Sequence, residues 1–182
     1  MALTEADFMA ALHGYIVAVT GLDGARVFRG NQSRMVLPKS GAYCIYTPII
    51  RQRRGTNVYD FDADGLPDNE NGVDSISALV LVDVQVDFYA DYAAQNAQML
   101  EIASRSYMGT NYFKASGVDV RVCTAQNPRN LTGIDASNQY EERWSVTITA
   151  EINCGITQNL PWFEDVTYKA FKNVDVYFPP TE

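Results

Sequence analysis

The sequence predicts an α+β fold in which two helices pack on a mainly antiparallel sheet and long loops connect the elements. Two segments, 75–88 and 142–154, alternate apolar and polar residues as half-buried strands do. Two others, 5–19 and 91–107, repeat apolar residues at helical spacing. We interpret 1–182 as a single domain, because domains of about 100 to 200 residues are usual.

The first helix is predicted from its capping residues and its apolar stripe. Thr4, followed three residues later by Asp7, has the arrangement of a capping box. Apolar residues then recur at helical spacing over 5–19, namely Phe8, Leu12, Tyr15, Ile16 and Val19. Glycines at positions 21 and 24 end the helix, and breakers such as Pro38 predict an irregular segment over 27–39.

Segment 42–50 is rich in β-branched and aromatic residues, which predicts a strand. Pro48 has no amide hydrogen to donate to a neighbouring strand, so it favours an edge strand or a strand end. Because an edge strand carries unpaired backbone groups, we expect this strand to be suited to pairing outside its own sheet.

The middle of the chain predicts a strand, a helix and a second strand in turn. In 75–88 the valines alternate with aspartates and a glutamine, which gives the strand one apolar face. Asp91 is a candidate N-cap for the helix over 91–107, whose stripe contains small alanines suited to close packing on a sheet. Alternation over 118–122 predicts another strand, and the polar stretch 126–139 predicts a long loop.

The most regular strand pattern covers 142–154. Its thirteen residues exceed the common strand length of about five or six, so we expect its far end to project beyond the core. A closing strand is predicted over 172–178, where valines alternate with polar residues before Phe178.

A charged hairpin or loop is predicted at about 51–74. Arginines come first and are followed by Asp60-Phe-Asp62-Ala-Asp64-Gly65-Leu-Pro-Asp68, whose alternate carboxylates and glycine are typical of an oxygen-lined calcium loop. The candidate metal ligands are Asp60, Asp62, Asp64 and Asp68. Asn71 occupies the twelfth position in place of a bidentate glutamate, and no helical pattern flanks the loop, so a solvated acidic loop is the favoured interpretation.

The same segment is a candidate contact surface for other chains. Its basic and acidic residues are Arg51, Arg53, Arg54, Asp60, Asp62 and Asp64. Exposed ion pairs contribute only about 0 to 1 kcal/mol each within one chain, so a solvated hairpin is the simpler interpretation. Alternatively, several complementary pairs between neighbouring copies or partners would fix their register and orientation.

Composition excludes several classes of protein. The net charge of −8 opposes broad binding to nucleic acid or to an anionic membrane, since both repel a negative surface. The longest apolar run, 76–82, is much shorter than the roughly 18 residues of a membrane-spanning helix. Glu5 and Asp7 stand where a signal peptide would carry basic residues, and three cysteines without metal-ligand spacing fit a reducing cytoplasm.

No catalytic or cofactor motif is evident in the sequence. His13 is the only histidine, so neither a Ser-His-Asp triad nor a multi-histidine metal site has enough residues. Neither of the two phosphate-binding glycine motifs is present. We therefore expect a protein that is not an enzyme and that needs no cofactor.

The order of elements in the C-terminal half resembles that of bacteriophage neck and tail terminator proteins. The resemblance runs from Ser75 to Pro179 and follows VQVDFYA, AQNAQMLEIA, VDVRV, RWSVTITAEI, PWFEDV and VDVYFP. Its most telling parts are Arg143-Trp144, Pro161-Trp162-Phe163 and the closing Val174-Asp175-Val176-Tyr177-Phe178-Pro179. The segment from Arg51 to Asn71 resembles the family least.

The resemblance implies a ring-forming protein of the virion, assembled in the host cytoplasm as a hexamer. Such a ring would cap the tail tube, contact tube and sheath proteins and a head-side adaptor or stopper, and let DNA pass without sequence-specific binding. The neighbours of Trp162, Pro161 and Phe163, suggest either a packed corner or an exposed aromatic corner. In the second case Trp162 is a candidate anchor for a partner. Two alternatives stay open: a head-side adaptor or stopper protein of the neck, and a calcium-binding interaction module.

Overall fold

The structure, a computed structural model, describes residues 4–33, 36–38, 40–62, 71–134 and 140–161. Within these ranges one seven-stranded sheet carries three α-helices on one face, an α+β architecture. None of the described helices is both long and apolar enough to cross a membrane.

The elements follow one another in a simple order along the chain. The helices are α1 (Glu5–Thr20), α2 (Ala93–Ser104) and α3 (Tyr107–Ala115), with a 3₁₀ turn at Gly24–Arg26. The long strands are β2 (Tyr43–Arg53), β4 (Asn71–Tyr89) and β9 (Arg143–Pro161). The shorter strands are β1 (Val27–Arg29), β3 (Val58–Asp62), β5 (Val120–Ala125), β6 (Arg129–Asn130), β7 (Gly133–Ile134) and β8 (Tyr140–Glu141).

Helix α1 begins and ends as its sequence predicts. The Thr4 hydroxyl accepts a hydrogen bond from the Asp7 amide at 3.2 Å, and the Asp7 carboxylate accepts one from the Thr4 amide at 3.1 Å. Gly21 closes the helix in the left-handed region at φ 70°, where its amide donates to the Val17 carbonyl at 2.9 Å. The hydrogen bonds from Thr4 lower the pKa of the Asp7 carboxyl.

The sheet is built around one long antiparallel ribbon. Strand β4 pairs with β9 along its whole length, from Asn71 opposite Pro161 to Tyr89 opposite Arg143. Strands β2 and β3 follow each other along the other edge of β4, while β5 and β6 pair with the outer edge of β9. Every pairing is antiparallel except that of β1 with β2. The β7–β8 hairpin forms a separate small sheet.

The core lies between the helices and one half of this ribbon. Apolar residues at even positions of β4 and β9 point toward the helices, as their alternation predicts. These are Val82, Val84, Val86, Phe88, Val146, Ile148, Ala150 and Ile152. The helices contribute Phe8, Met9, Leu12, Tyr15, Ile16, Ala93, Ala97, Leu100, Ala103 and Phe113 to the same cluster.

A single helix was predicted over 91–107, but α2 ends at Ser104 and a separate helix, α3, begins at Tyr107. The break falls at Arg105 and Ser106. The Ser106 hydroxyl accepts a hydrogen bond from the Met108 amide at 3.1 Å and so caps α3. Serine side chains compete with the backbone in this way, which favours a new helix start over a continued helix. Three described helices therefore replace the expected two.

Two further expectations about segments are corrected. The segment 27–39, expected to be irregular, contains β1, which pairs in parallel with residues 44–46 of β2. Strand β2 is therefore not an edge strand over those residues, because β1 and β4 flank it. Among the described strands, residues 47–53 of β2, which include Pro48, pair only with β4, so the expected edge holds for that part. The loop expected over 126–139 contains the short strands β6 and β7. The strand predicted over 172–178 lies outside the described residues.

Candidate assembly surface

The ribbon extends beyond the core as an arm, which we define as β3, residues 71–79 of β4 and residues 155–161 of β9. The nine arm residues of β4, 71–79, give the arm a length of roughly 30 Å, because a strand rises about 3.3 Å per residue. Strand β9 shows the change along one face: Ile148 is 1% exposed in the core, whereas Ile156 is 65% exposed in the arm. The projection expected from the length of β9 is confirmed.

Apolar side chains line one face of the arm. Tyr59 lies opposite Ile76, and Ile76 lies opposite Ile156, so these three residues form a row across β3, β4 and β9. We call this the arm row. It lies on the same sheet face as the helices, because it keeps the even-numbered register of β4. Tyr59 is 66% exposed. A row in which exposed Tyr59 and Ile156 flank the half-buried Ile76 marks a surface for interaction with another molecule.

A shallow depression lies beside the arm row. It has a volume of about 230 Å³, and small residues of β4 and β9 contribute to its lining. The lining residues are Asn57, Ile76, Ser77, Ala78, Cys154, Gly155 and Ile156. The depression is large enough to accept a flexible apolar side chain, and methionine fills such irregular spaces well.

The base of the arm is tied to the first helix. The register of β2 shifts between Pro48 and Ile50, which places Arg51 opposite Val82 and therefore on the helix side of the sheet. The Arg51 Nη2 lies 3.0 Å from the Glu5 Oε2, and the Arg29 Nη2 lies 3.1 Å from the Glu5 Oε1. Glu5 thus joins the start of α1 to β1 and β2.

The other two arginines of the charged segment have different surroundings. The Arg53 Nε donates to the Gly55 carbonyl at 2.7 Å, and its Nη2 donates to the Asn57 Oδ1 at 2.6 Å. These bonds shape the irregular stretch between β2 and β3, where the Arg54 amide also donates to the Leu79 carbonyl at 2.9 Å. The exposed Arg54 side chain has no hydrogen bond or ion pair with any described residue. Its charge is therefore available to another chain.

Two of the acidic candidates, Asp60 and Asp62, lie on β3 in the arm. Asp60 is exposed on β3 opposite Ser75, on the face away from the arm row, and Asp62 ends β3 opposite Val73. Asp64, Asp68 and Trp162 lie outside the described residues. Across the described part of the chain, no group of three or more acidic, histidine or cysteine side chains is arranged to hold a metal ion. That these charged residues and Trp162 contact other chains stays a prediction.

A polar cluster on the opposite sheet face was not predicted. Asp87, which is 5% exposed, accepts hydrogen bonds from the Gln85 Nε2 at 3.0 and 2.9 Å and from the Arg143 Nη2 at 2.9 Å. Burial lowers the pKa of the Arg143 guanidinium, but the hydrogen bond and the charge of Asp87 raise it overall. The alternation of β4 alone predicts that Asp87 faces water. In the sequence, only the polar loop predicted over 126–139 indicated that other residues cover this face of the sheet.

Two tyrosines brace the same end of the sheet. The rings of Tyr43 and Tyr89 stack with centroids 4.6 Å apart, and the Arg143 guanidinium lies 5.6 Å from the Tyr89 centroid. The Tyr43 hydroxyl donates to the Glu141 Oε1 at 2.8 Å, which fastens β8 to β2. Burial, together with this carboxylate, raises the pKa of the Tyr43 hydroxyl. The end of the ribbon opposite the arm is thus held by many internal contacts.

The single histidine and two of the cysteines have structural surroundings. The His13 ring packs edge-on against Tyr46 with centroids 6.1 Å apart. Cys44 and Cys154 are free thiols; Cys44 is fully buried, and burial raises its pKa well above the usual range. Burial also raises the pKa of Cys154, which lies where the core meets the arm.

Comparison with known proteins finds a family model that matches most of the chain. A family model described as phage neck terminator protein matches residues 6–176. The match includes α1 from Ala6 onward, the arm and the whole central ribbon, so it also covers 51–71, the segment in which the resemblance was weakest. No curated protein matches the chain.

Proposed function

The chain belongs to the phage neck terminator protein family and so has a structural role in the neck and tail of the virion; we propose that it caps the completed tail tube and joins the tube to the head-side neck. In this proposal it acts as a structural and not a catalytic protein. Its other neighbours are the sheath proteins and a head-side adaptor or stopper.

The arm is the observation that carries this proposal. A monomer gains nothing from projecting apolar residues such as Tyr59 and Ile156 into water, because their burial would contribute about 25 cal/mol per Å². The other end of the ribbon is already fastened by internal contacts, such as the Asp87–Arg143 pair. The arm is therefore the part of the fold best suited to contact other chains.

We further propose that six copies form a closed ring with DNA passing through its central hole. Head-to-tail contacts between identical copies generate rings when the rotation closes. The net charge of −8 supports passage without retention, because a negative wall repels the phosphate backbone. Assembly of this ring takes place in the host cytoplasm before the particle is complete.

A reconstitution experiment tests this function. Heads and tails are isolated from an infection with a mutant phage lacking this protein, and the purified wild-type chain is added to them. We expect joined, infectious particles to form only when the protein is present and when it is incubated first with the tails. Joining that needs prior incubation with the heads would instead support the head-side adaptor or stopper. No joining in either order would contradict the proposal.

A further inference from the structure

The folded chain presents a second exposed apolar surface, on its helix layer. Met99 and Ile102 lie one turn apart on the outer side of α2, and Met108 lies in the first turn of α3. All three are exposed, Ile102 at 58%. We call these three residues the helix patch. Both this patch and the arm row are exposed in the folded chain, so neither covers the other within one copy.

An unpaired charge at the base of the arm is complementary to one on the helix layer. Arg54 is exposed just after β2, and Asp91 is exposed just before α2. Within the described part of the chain neither side chain forms an ion pair. The arm of one copy and the helix layer of another thus carry opposite charges that are available to pair with each other.

We propose that the arm of one copy lies across the helix patch of a second copy of this chain. This contact would bury both apolar surfaces at once, whereas a two-fold arm-to-arm contact would leave the helix patch in water. The depression beside the arm row would receive a flexible side chain of the patch, such as Met108. Because the two surfaces differ, the contact is head-to-tail and can continue from copy to copy.

The inference rests on the proposed ring and names the surfaces that form it. Two variants separate the surfaces. The arm variant carries Tyr59→Lys and Ile156→Lys, and the helix variant carries Ile102→Lys and Met108→Lys. All four positions are exposed, so we expect both variants to unfold within a few degrees of the wild type. If either double variant fails to fold, the single changes Ile156→Lys and Ile102→Lys replace it.

The test is a titration followed by NMR of isoleucine and methionine methyl groups. The labelled sample is the arm variant, whose helix patch is intact. The unlabelled helix variant, whose arm is intact, is added to it up to about 1 mM. At this concentration even a weak contact with a binding free energy of about −4 kcal/mol is detected. We expect the methyl signals of Met99, Ile102 and Met108 to shift, and sedimentation to show a one-to-one pair that grows no further. The matched control adds unlabelled arm variant, which should shift nothing.

Two results would overturn the inference. One is the absence of any shift at the highest concentration. The other is an equal shift with either added variant, which indicates a two-fold or unspecific contact. The reconstitution experiment distinguishes this failure from failure of the proposed function. If the wild-type chain joins heads to tails but either of these results is obtained, the arm-to-helix contact is wrong and the proposed function is not contradicted.

Discussion

The Nη2 of Arg143 lies 2.9 Å from the Oδ2 of Asp87, an ion pair that joins the start of β9 to the end of β4 on the sheet face opposite the helices. The Asp87 side chain is almost fully buried, and Gln85 donates to both of its oxygens. This cluster fixes the end of the ribbon that lies farthest from the arm, whereas the ion pairs of Glu5 hold the base of the arm.

Removing one member of this pair should destabilise the fold. We expect Asp87→Ala to lower the free energy of unfolding by about 2 to 3 kcal/mol. This loss is smaller than the largest losses measured for buried ion pairs, because the Arg143 side chain is about one third exposed. Urea denaturation measures the change. Asp87→Ala combined with Arg143→Ala should cost less than the sum of the single changes, and strict additivity would show that the two side chains are not coupled.

A matched pair of substitutions on β9 tests where the core ends. Ile148→Ala removes a fully buried side chain and should cost about 2 to 5 kcal/mol, whereas Ile156→Ala on the same face of the arm should change the stability by less than about 0.5 kcal/mol. Thermal denaturation of both variants gives the comparison. A loss at Ile156 as large as that at Ile148 would mean that the arm is covered within the monomer.

Charge reversal should separate the arginines by role. Arg51→Glu breaks an ion pair with Glu5, which is partly exposed, so the cost to stability should be at most about 1 kcal/mol. Arg54→Glu should leave the unfolding temperature unchanged and reduce the joining of heads to tails, because its charge has no partner among the described residues. Wild-type joining by the folded Arg54→Glu variant would remove this residue from the proposed contact surface.

The cap of α1 should make stability depend on pH in one direction. Since the pKa of Asp7 is lowered in the folded state, its contribution is present above the ordinary carboxyl pKa of 3.8 and is lost as pH falls through the lower folded value. The difference in unfolding temperature between the wild type and Asp7→Asn should therefore stay constant near neutral pH and shrink in acid. Thr4→Ala serves as the control, because it removes the hydroxyl hydrogen bond that contributes most to lowering this pKa and leaves the bond from the Thr4 amide. A difference that does not shrink as the pH falls below 3.8 would contradict the assignment.

Local signals account for the elements that the sequence predicted correctly. The box of Thr4 and Asp7 defines the start of α1 without help from the rest of the fold, and alternation alone identifies β4 and β9. The length of β9 already indicated the projecting arm. In each case the determining residues are neighbours in the chain or lie within one helical turn.

The errors concern contacts between distant segments. Strand β1 forms because Val27–Arg29 pair in parallel with residues 44–46 of β2. A strand of three residues is too short for its alternation to be recognised in the sequence. The direction of Arg51 depends on one register shift in β2, and the burial of Asp87 depends on Arg143, which is more than fifty residues away. Strand order and register decide these contacts, and neither follows from the sequence of a single segment.

High-resolution imaging of the assembled particle is the most direct test of the central claim that this chain joins the tail tube to the neck. The account predicts density for the β4–β9 ribbon in a closed ring at the head-proximal end of the tube, with DNA passing through the ring. Density on the head shell or at the distal end of the tail, or a particle without the chain, would contradict the claim.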